Sequence, residues 1–277
     1  MPCRLQFDNS VIFSSFLITV SKILVTTGHN QEGYQTTSEI VDLTVKGGYK
    51  CNIWEPFQIG VRGATGGVIG DTVIICGGSD GEYGSAVDEC YTLTSEKRTF
   101  VTHMYFARWY AASIVLNDNT LWVTGGYHNH WGRHSSTEYI TMTGTMPGPN
   151  LPMALRKHVM VVINSTCSMV IGGSVGYEIA STFFYDRSEG EWIDGPSLIR
   201  ERYHHAAGIV TDEVTNEHFV FVTGGYGFFS FLDSTEILQD GEWVQGKIDN
   251  TICYLLEIFC SQNTITTFRE TNFNYQV

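Results

Sequence analysis

The 277-residue chain is predicted to be all-β, assembled from one four-stranded antiparallel unit used several times over. Three observations carry this prediction. A strand that stops on two glycines recurs as VIICGGS at 73–79, LWVTGGY at 121–127, MVIGGS at 169–174 and VFVTGGY at 220–226, with a one-glycine version, ILVTTGH, at 23–29. The last glycines of these words, at 28, 78, 126, 173 and 225, are 50, 48, 47 and 52 residues apart, and a period of that size sets the architecture. Composition agrees: 29 Gly against 6 Pro, with many Val, Ile, Thr, Tyr and Phe, suits short strands joined by tight turns.

Each glycine word has companions in phase. Upstream, VRGATGGVI, ARWYAASIV, LRKHVMVVI and RYHHAAGIV each begin at or beside an arginine and read as a first strand, a. The glycine word itself is strand b. Downstream, TSEIVDL at 37–43, VDECYTL at 87–93, STEYITM at 136–142, STFFYD at 181–186 and STEIL at 234–238 read as strand c. Glu39, Glu89 and Glu236 stand eleven residues after their glycines, Glu138 stands twelve, and Phe183 takes the acid's place at ten. A tryptophan marks strand d in GEWIDG at 190–195 and GEWVQG at 241–246, with Trp54 and Phe100 as looser counterparts. Four strands of about five or six residues, with their turns, fill such a unit. A lone four-stranded sheet leaves both faces wet. Packing several face to face around an axis buries them, which is the β-propeller solution.

The double glycine, the acid about eleven residues later, the following tryptophan and the arginine-led strand together resemble the kelch repeat, over residues 22–246. The resemblance implies an all-β, kelch-type β-propeller of four-stranded antiparallel blades, five in number, with six as the rival count. Gly28, Gly77, Gly78, Gly125, Gly126, Gly172, Gly173, Gly224 and Gly225 are expected to turn the chain sharply where side chains do not fit, and Thr27 stands where the first unit lacks a glycine. Little room precedes residue 22 for a strand a. TICYLLEIF at 251–259, within a tail (247–277) that matches no repeat word, is therefore expected to close the first blade. Residues 1–21 read either as a leader or as an N-terminal strand: Arg4 precedes VIFSSFLITV, and Thr19-Val20-Ser21 resembles a small-residue cleavage site.

In an up-down-up-down blade, the start of strand a and the end of strand b share one rim. In the resembled fold strand a is innermost, which implies that Arg62, Arg108, Arg156 and Arg202 surround the mouth of a central channel. Tyr110, His158, His204 and His205 follow close behind them. A ring of guanidinium groups suits carboxylates through two-pronged hydrogen bonds, and some kelch proteins bind acidic peptides by such a rim. The competing reading gives the arginines to carbonyls and acids at strand ends. The recurring glutamates are spread one per blade, too far apart for paired acid–base chemistry, and are read as acceptors for backbone N–H groups.

YHNHWGRHSS at 127–136 gathers His128, His130 and His134 but holds no Cys or carboxylate, so it is read as a recognition loop and no metal site is assigned. GYGFFSFLD at 225–233 is a second, aromatic loop of that kind. Of seven cysteines, Cys76 at the end of a strand b and Cys90 at the start of the following strand c face each other and form a candidate disulfide, which requires an oxidising compartment. Asn164-Ser165-Thr166 is a candidate glycosylation sequon on the rim opposite the arginines. These features favour an extracellular, secreted protein, with the cytoplasm as the alternative.

With 16 Lys+Arg against 29 Asp+Glu, the net charge of −13 opposes nucleic-acid and anionic-lipid binding. No uninterrupted apolar window of about 18 residues is available for a membrane-spanning helix. The expected function is a non-catalytic, monomeric module that binds a protein, such as an acidic peptide segment, or a glycan, without a cofactor. Two alternatives are kept: a copper enzyme resembling galactose oxidase, which needs ligands from a further domain, and a ubiquitin-ligase adaptor lacking its BTB part.

Overall fold

The computed structural model describes residues 12–19, 22–30, 33–42, 50–54, 60–80, 85–117, 119–211 and 217–246. Within them the protein is all-β, with five four-stranded antiparallel sheets, each a meander in which consecutive strands are neighbours. The first sheet comprises Ile12–Thr19, Lys22–Asn30, Gly33–Asp42 and Lys50–Trp54. The second comprises Thr65–Ile69, Thr72–Cys76, Glu89–Leu93 and Arg98–His103. The third comprises Ala112–Asn117, Thr120–Thr124, Thr137–Thr141 and Gly144–Gly148. The fourth comprises Val159–Val162, Cys167–Ile171, Thr182–Asp186 and Glu191–Asp194. The fifth comprises Ala206–Thr211, His218–Thr223, Thr235–Gln239 and Glu242–Gly246. Among the described residues no helix is long and apolar enough to cross a membrane.

The sheets follow one another face to face. The first strand of each packs against the first strand of the next, from 12–19 through 65–69, 112–117 and 159–162 to 206–211. Both faces of a middle sheet are therefore covered, which is why the second strands read as unbroken apolar runs, without alternation. The interfaces are separate cores. Leu24, Ile40 and Ile75 join the first two sheets, and Ile74, Leu121 and Ile140 join the second and third. Trp122, Val170 and Phe183 join the third and fourth; Met169, Val222 and Trp243 join the fourth and fifth. Fourth strands lie at the margin: Glu191, Ile193 and Asp194 are exposed.

The first sheet corrects one expectation. Ile12–Thr19 pairs antiparallel with Lys22–Asn30 and takes the strand a position that 251–259 was expected to fill. The apolar run 11–20 is long enough for a strand and directly precedes its partner, so no distant segment is needed. Residues 251–259 lie outside the described residues, and 12–19 is also the segment read as a leader candidate.

The double glycines are fixed by two neighbours at once. Gly78, Gly126 and Gly173 donate their N–H groups to the carbonyls of Arg108, Leu155 and Arg202, which open the next sheet. The first glycine of each pair presses on those same carbonyls: a Cβ on Gly77, Gly125 or Gly172 would lie 2.5–2.7 Å from them. On the other side, a Cβ on Gly225 would lie 2.7 Å from the Tyr203 carbonyl of its own sheet. Both members of each pair also have left-handed φ, as with Gly224 (64°) and Gly225 (90°). Thr27 takes the same conformation (φ 52°) in the first sheet, so the missing glycine leaves the turn in place at the cost of a strained, buried β-branched residue.

The residue just before each glycine turn in the second strand faces an inward residue near the start of the third, and this pair is filled in different ways. Thr26 and Ser38 share a 2.5 Å hydroxyl contact, and Thr235 donates to Thr223 at 2.8 Å. In the second sheet the same position holds Cys76 opposite Cys90, joined as a disulfide and fully buried.

Candidate functional site

The loop preceding each first strand and the loop following each second strand meet on one rim through paired backbone hydrogen bonds. Trp109 pairs with Tyr127, Arg156 with Ser174 and Tyr203 with Tyr226, each exchanging both N–H···O bonds, and Arg62 pairs with Ser79. This register separates the four arginines into two groups. Arg62 and Arg156 are equivalent to Trp109 and Tyr203; Arg108 and Arg202 sit one residue earlier, where the other sheets have Val61 and Leu155. The register residue is the next one along: Gly63, Tyr110, Lys157 and His204 lie 47 residues apart and all have φ between 55° and 67°. They are linked across the sheets, Tyr110 N to Gly63 O at 2.8 Å, Lys157 N to Tyr110 O at 2.9 Å and His204 N to Lys157 O at 3.1 Å.

Arg108 and Arg202 are internal braces, which corrects the expectation that they contact a ligand. Arg108 donates to the carbonyls of Gly125 and Ser136 at 2.6 and 2.8 Å, and to Glu138. Arg202 repeats this with Gly224 and Ser234 at 2.8 and 3.0 Å, and with Glu236. Both guanidinium groups are wholly withdrawn from solvent. The glutamates also accept backbone N–H groups, Glu138 from Tyr105 and Phe106, Glu236 from Ile199 and Arg200. Glu89 is not their counterpart. The register places Tyr91 there, and Glu89 accepts the Tyr91 hydroxyl at 2.9 Å. His158 is likewise internal, 2.9 Å from the Thr124 hydroxyl; burial and then Arg108 push its pKa down to about 3. Its expected contact with a ligand is corrected too, because the residue is buried.

Arg62, Arg156, Tyr110 and His204 are brought together, and the structure adds residues that arginine-based reading passed over. Arg62 lies over the Trp109 ring at 4.7 Å and faces Tyr34 at 5.7 Å; Arg156 lies over Tyr127 at 4.7 Å. Lys157 Nζ sits 4.8 Å from the ring centres of both Tyr110 and Tyr203, and Tyr110 meets His204 edge-on at 4.8 Å. Such stacking orients cations without neutralising them. Among the described residues no carboxylate lies within ion-pair distance of Arg62, Arg156 or Lys157, in a chain of net charge −13. Three donors there, Arg62 Nε, Arg156 Nε and Trp109 Nε1, are buried with no hydrogen-bond partner among the described residues. Burial, then Arg156 and Arg62, pushes Lys157 down to about 8, and burial with Lys157 and Arg156 holds His204 well below the ordinary imidazole range. This half-buried, cation-rich cluster is chemically suited to an anion.

The remaining candidates lie elsewhere. His128 stacks on Trp131 at 4.3 Å, and among the described residues no three His, Cys, Asp or Glu side chains are grouped to hold a metal. Asn164 is exposed in the turn between strands Val159–Val162 and Cys167–Ile171, its Oδ1 accepting from Thr166 and Cys167. No known family model matches the chain, and no curated protein matches it.

Proposed function

We propose that the five sheets are blades of a kelch-type β-propeller, and that the protein is a non-catalytic binding module whose rim receives carboxylates of a partner protein. The observation that carries this reading is the gathering of Arg62, Arg156 and Lys157, stacked on aromatic rings and unmatched by any described acid, in a strongly acidic chain. A guanidinium fork engages a carboxylate with two parallel hydrogen bonds, and half-burial makes that contact stronger than at an open surface. The register residues support a central axis, since equivalent backbones from four successive sheets are joined by three direct bonds. The buried Cys76–Cys90 bond favours an oxidising, extracellular location.

The test is selection from a phage-displayed random peptide library on the wild-type protein and on Arg62→Ala/Arg156→Ala. Enrichment of Asp- and Glu-rich peptides by the wild type alone, with melting temperatures matched, is the expected result. Equal enrichment by both proteins defeats the reading.

A further inference from the structure

The loop at 225–233 forms a two-stranded ribbon, Tyr226–Gly227 paired with Ser230–Phe231. Its turn is Phe228-Phe229, with φ of 47° and 62°. Left-handed conformations at both central positions define the turn type that favours Asn-Gly or Gly-Gly, because bulky residues are strained there. Here the positions carry two phenylalanines, 77% and 87% exposed, and the adjacent Phe231 is 88% exposed. Strain and exposed apolar surface coincide at a tip that contributes nothing to a core. A sequence optimised for folding alone does not place phenylalanine there.

The ribbon is held rigidly from below. Phe228 N donates to Glu178 Oε1 at 2.7 Å, Tyr226 exchanges both backbone bonds with Tyr203, and Leu232 N donates to Gly225 O at 2.9 Å. A Cβ on Gly227 would lie 2.1 Å from the Glu201 carbonyl, so the backbone is pressed directly onto its neighbour. The ribbon also adjoins the cationic cluster. Lys157 touches the Tyr203 ring, Tyr203 lies 5.4 Å from Tyr226, and Tyr226 lies 5.5 Å from Phe231.

We propose that the 226–231 ribbon is a preformed apolar anchor that packs against apolar side chains of the same protein segment whose carboxylates sit among Arg62, Arg156 and Lys157. This rests on the carboxylate-binding reading of the rim. The occupant follows from charge and continuity: the cations call for acids, and the aromatic path from Lys157 to Phe231 places apolar contacts immediately beside them. A bilayer fits less well, because the cations are half-buried and the whole chain is acidic. Rigid aromatic anchors raise affinity because little conformational freedom is lost on binding.

The experiment compares the wild type with Phe228→Asn/Phe229→Gly, which gives the turn its preferred residues, and with Phe231→Ser, which leaves the turn alone. Random peptides displayed on phage are selected on each protein, and one wild-type-selected peptide is synthesised and titrated. The wild type is expected to select acids beside Leu, Ile, Phe or Trp, and the variants to keep the acids but lose the apolar preference. The titrated peptide should bind both variants about tenfold or more weakly, while the double variant melts no lower than the wild type. Equal affinity for variants and wild type overturns the anchor, as does wild-type selection of acids without apolar neighbours; both leave the rim reading standing. Selection without acids overturns the rim reading itself. Co-sedimentation of the wild type with phosphatidylcholine vesicles, or its dimerisation, lost in the double variant, assigns the tip to a membrane or a second copy and overturns the anchor as proposed.

Discussion

Arg108 donates through Nη2 to the Glu138 carboxylate at 2.5 Å, with both side chains removed from water. Arg202 and Glu236 repeat the pair at 2.6 Å, whereas the fourth sheet has Leu155 and Phe183 at the equivalent positions. The backbone demand changes with it. Glu138 and Glu236 accept N–H groups from residues three and two before their arginines, and in the fourth sheet the first of these is Pro152, which has no N–H. Glu138→Phe alone should therefore cost about 3–5 kcal/mol by stranding a buried charge and two donors. The triple change Tyr105→Pro/Arg108→Leu/Glu138→Phe should recover most of that loss in chemical denaturation, because it copies a solution the chain already uses. A triple variant as unstable as the single one contradicts this account.

The Cys76–Cys90 bond occupies a position that other sheets fill with paired hydroxyls. It closes a loop with a sequence separation of 14, for which chain entropy gives about 3 kcal/mol. Cys76→Ala/Cys90→Ala should lose roughly that amount, and Cys76→Thr/Cys90→Thr about 1 kcal/mol less, through a hydrogen bond like Thr235–Thr223. Thermal melts with and without reductant measure both, and equal losses would remove the argument for equivalence.

Most of the fold was legible because it is written in backbone necessity. The glycine words mark positions pressed between two sheets, and the Cys76–Cys90 pairing follows from the hairpin they bound. The strand at 12–19 was legible only as one of two readings of residues 1–21, because it lacks the arginine-led start that marks the other first strands. The rim was only half legible. Aligning arginines by proximity merged Arg62 and Arg156 with Arg108 and Arg202, although one backbone step decides between a half-buried stack and a fully buried brace. The true marker is left-handed φ at Gly63, Tyr110, Lys157 and His204, four residue types with no shared chemistry, so Lys157 carried no signal. Its even 47-residue spacing was the one clue available in the sequence.

Acid should unfold this protein early. Burial lowers His158 to about 3 and His134 to about 4, and holds His204 and His205 well below the ordinary value of 6.5. As pH falls below about 6.5 the unfolded chain takes up protons that the folded one refuses until far lower pH. Stability is therefore lost progressively toward acid, at up to about 1.4 kcal/mol per pH unit for each such histidine. His158→Gln should flatten denaturation-derived stability between pH 6.5 and pH 4, and an unchanged slope would show that carboxylates govern it instead.

Binding at the rim should weaken in alkali for a reason located at Lys157. Its amine faces Arg156, Arg62 and the rings of Tyr110 and Tyr203, and in the free protein its pKa is lowered to about 8. A bound carboxylate favours the charged amine, so the complex holds the proton more tightly than the free protein does. Affinity for a Glu-rich peptide should then be constant below pH 8 and fall by up to about tenfold per unit above it. Calorimetry near pH 8.5 in buffers of different ionisation enthalpy should report proton uptake on binding. Lys157→Met should bind more weakly at pH 7 but lose both the alkaline fall and the proton uptake, because the two arginines that remain do not titrate in this range. An alkaline fall that persists in Lys157→Met would place the titrating group elsewhere and separate Lys157 from the anion.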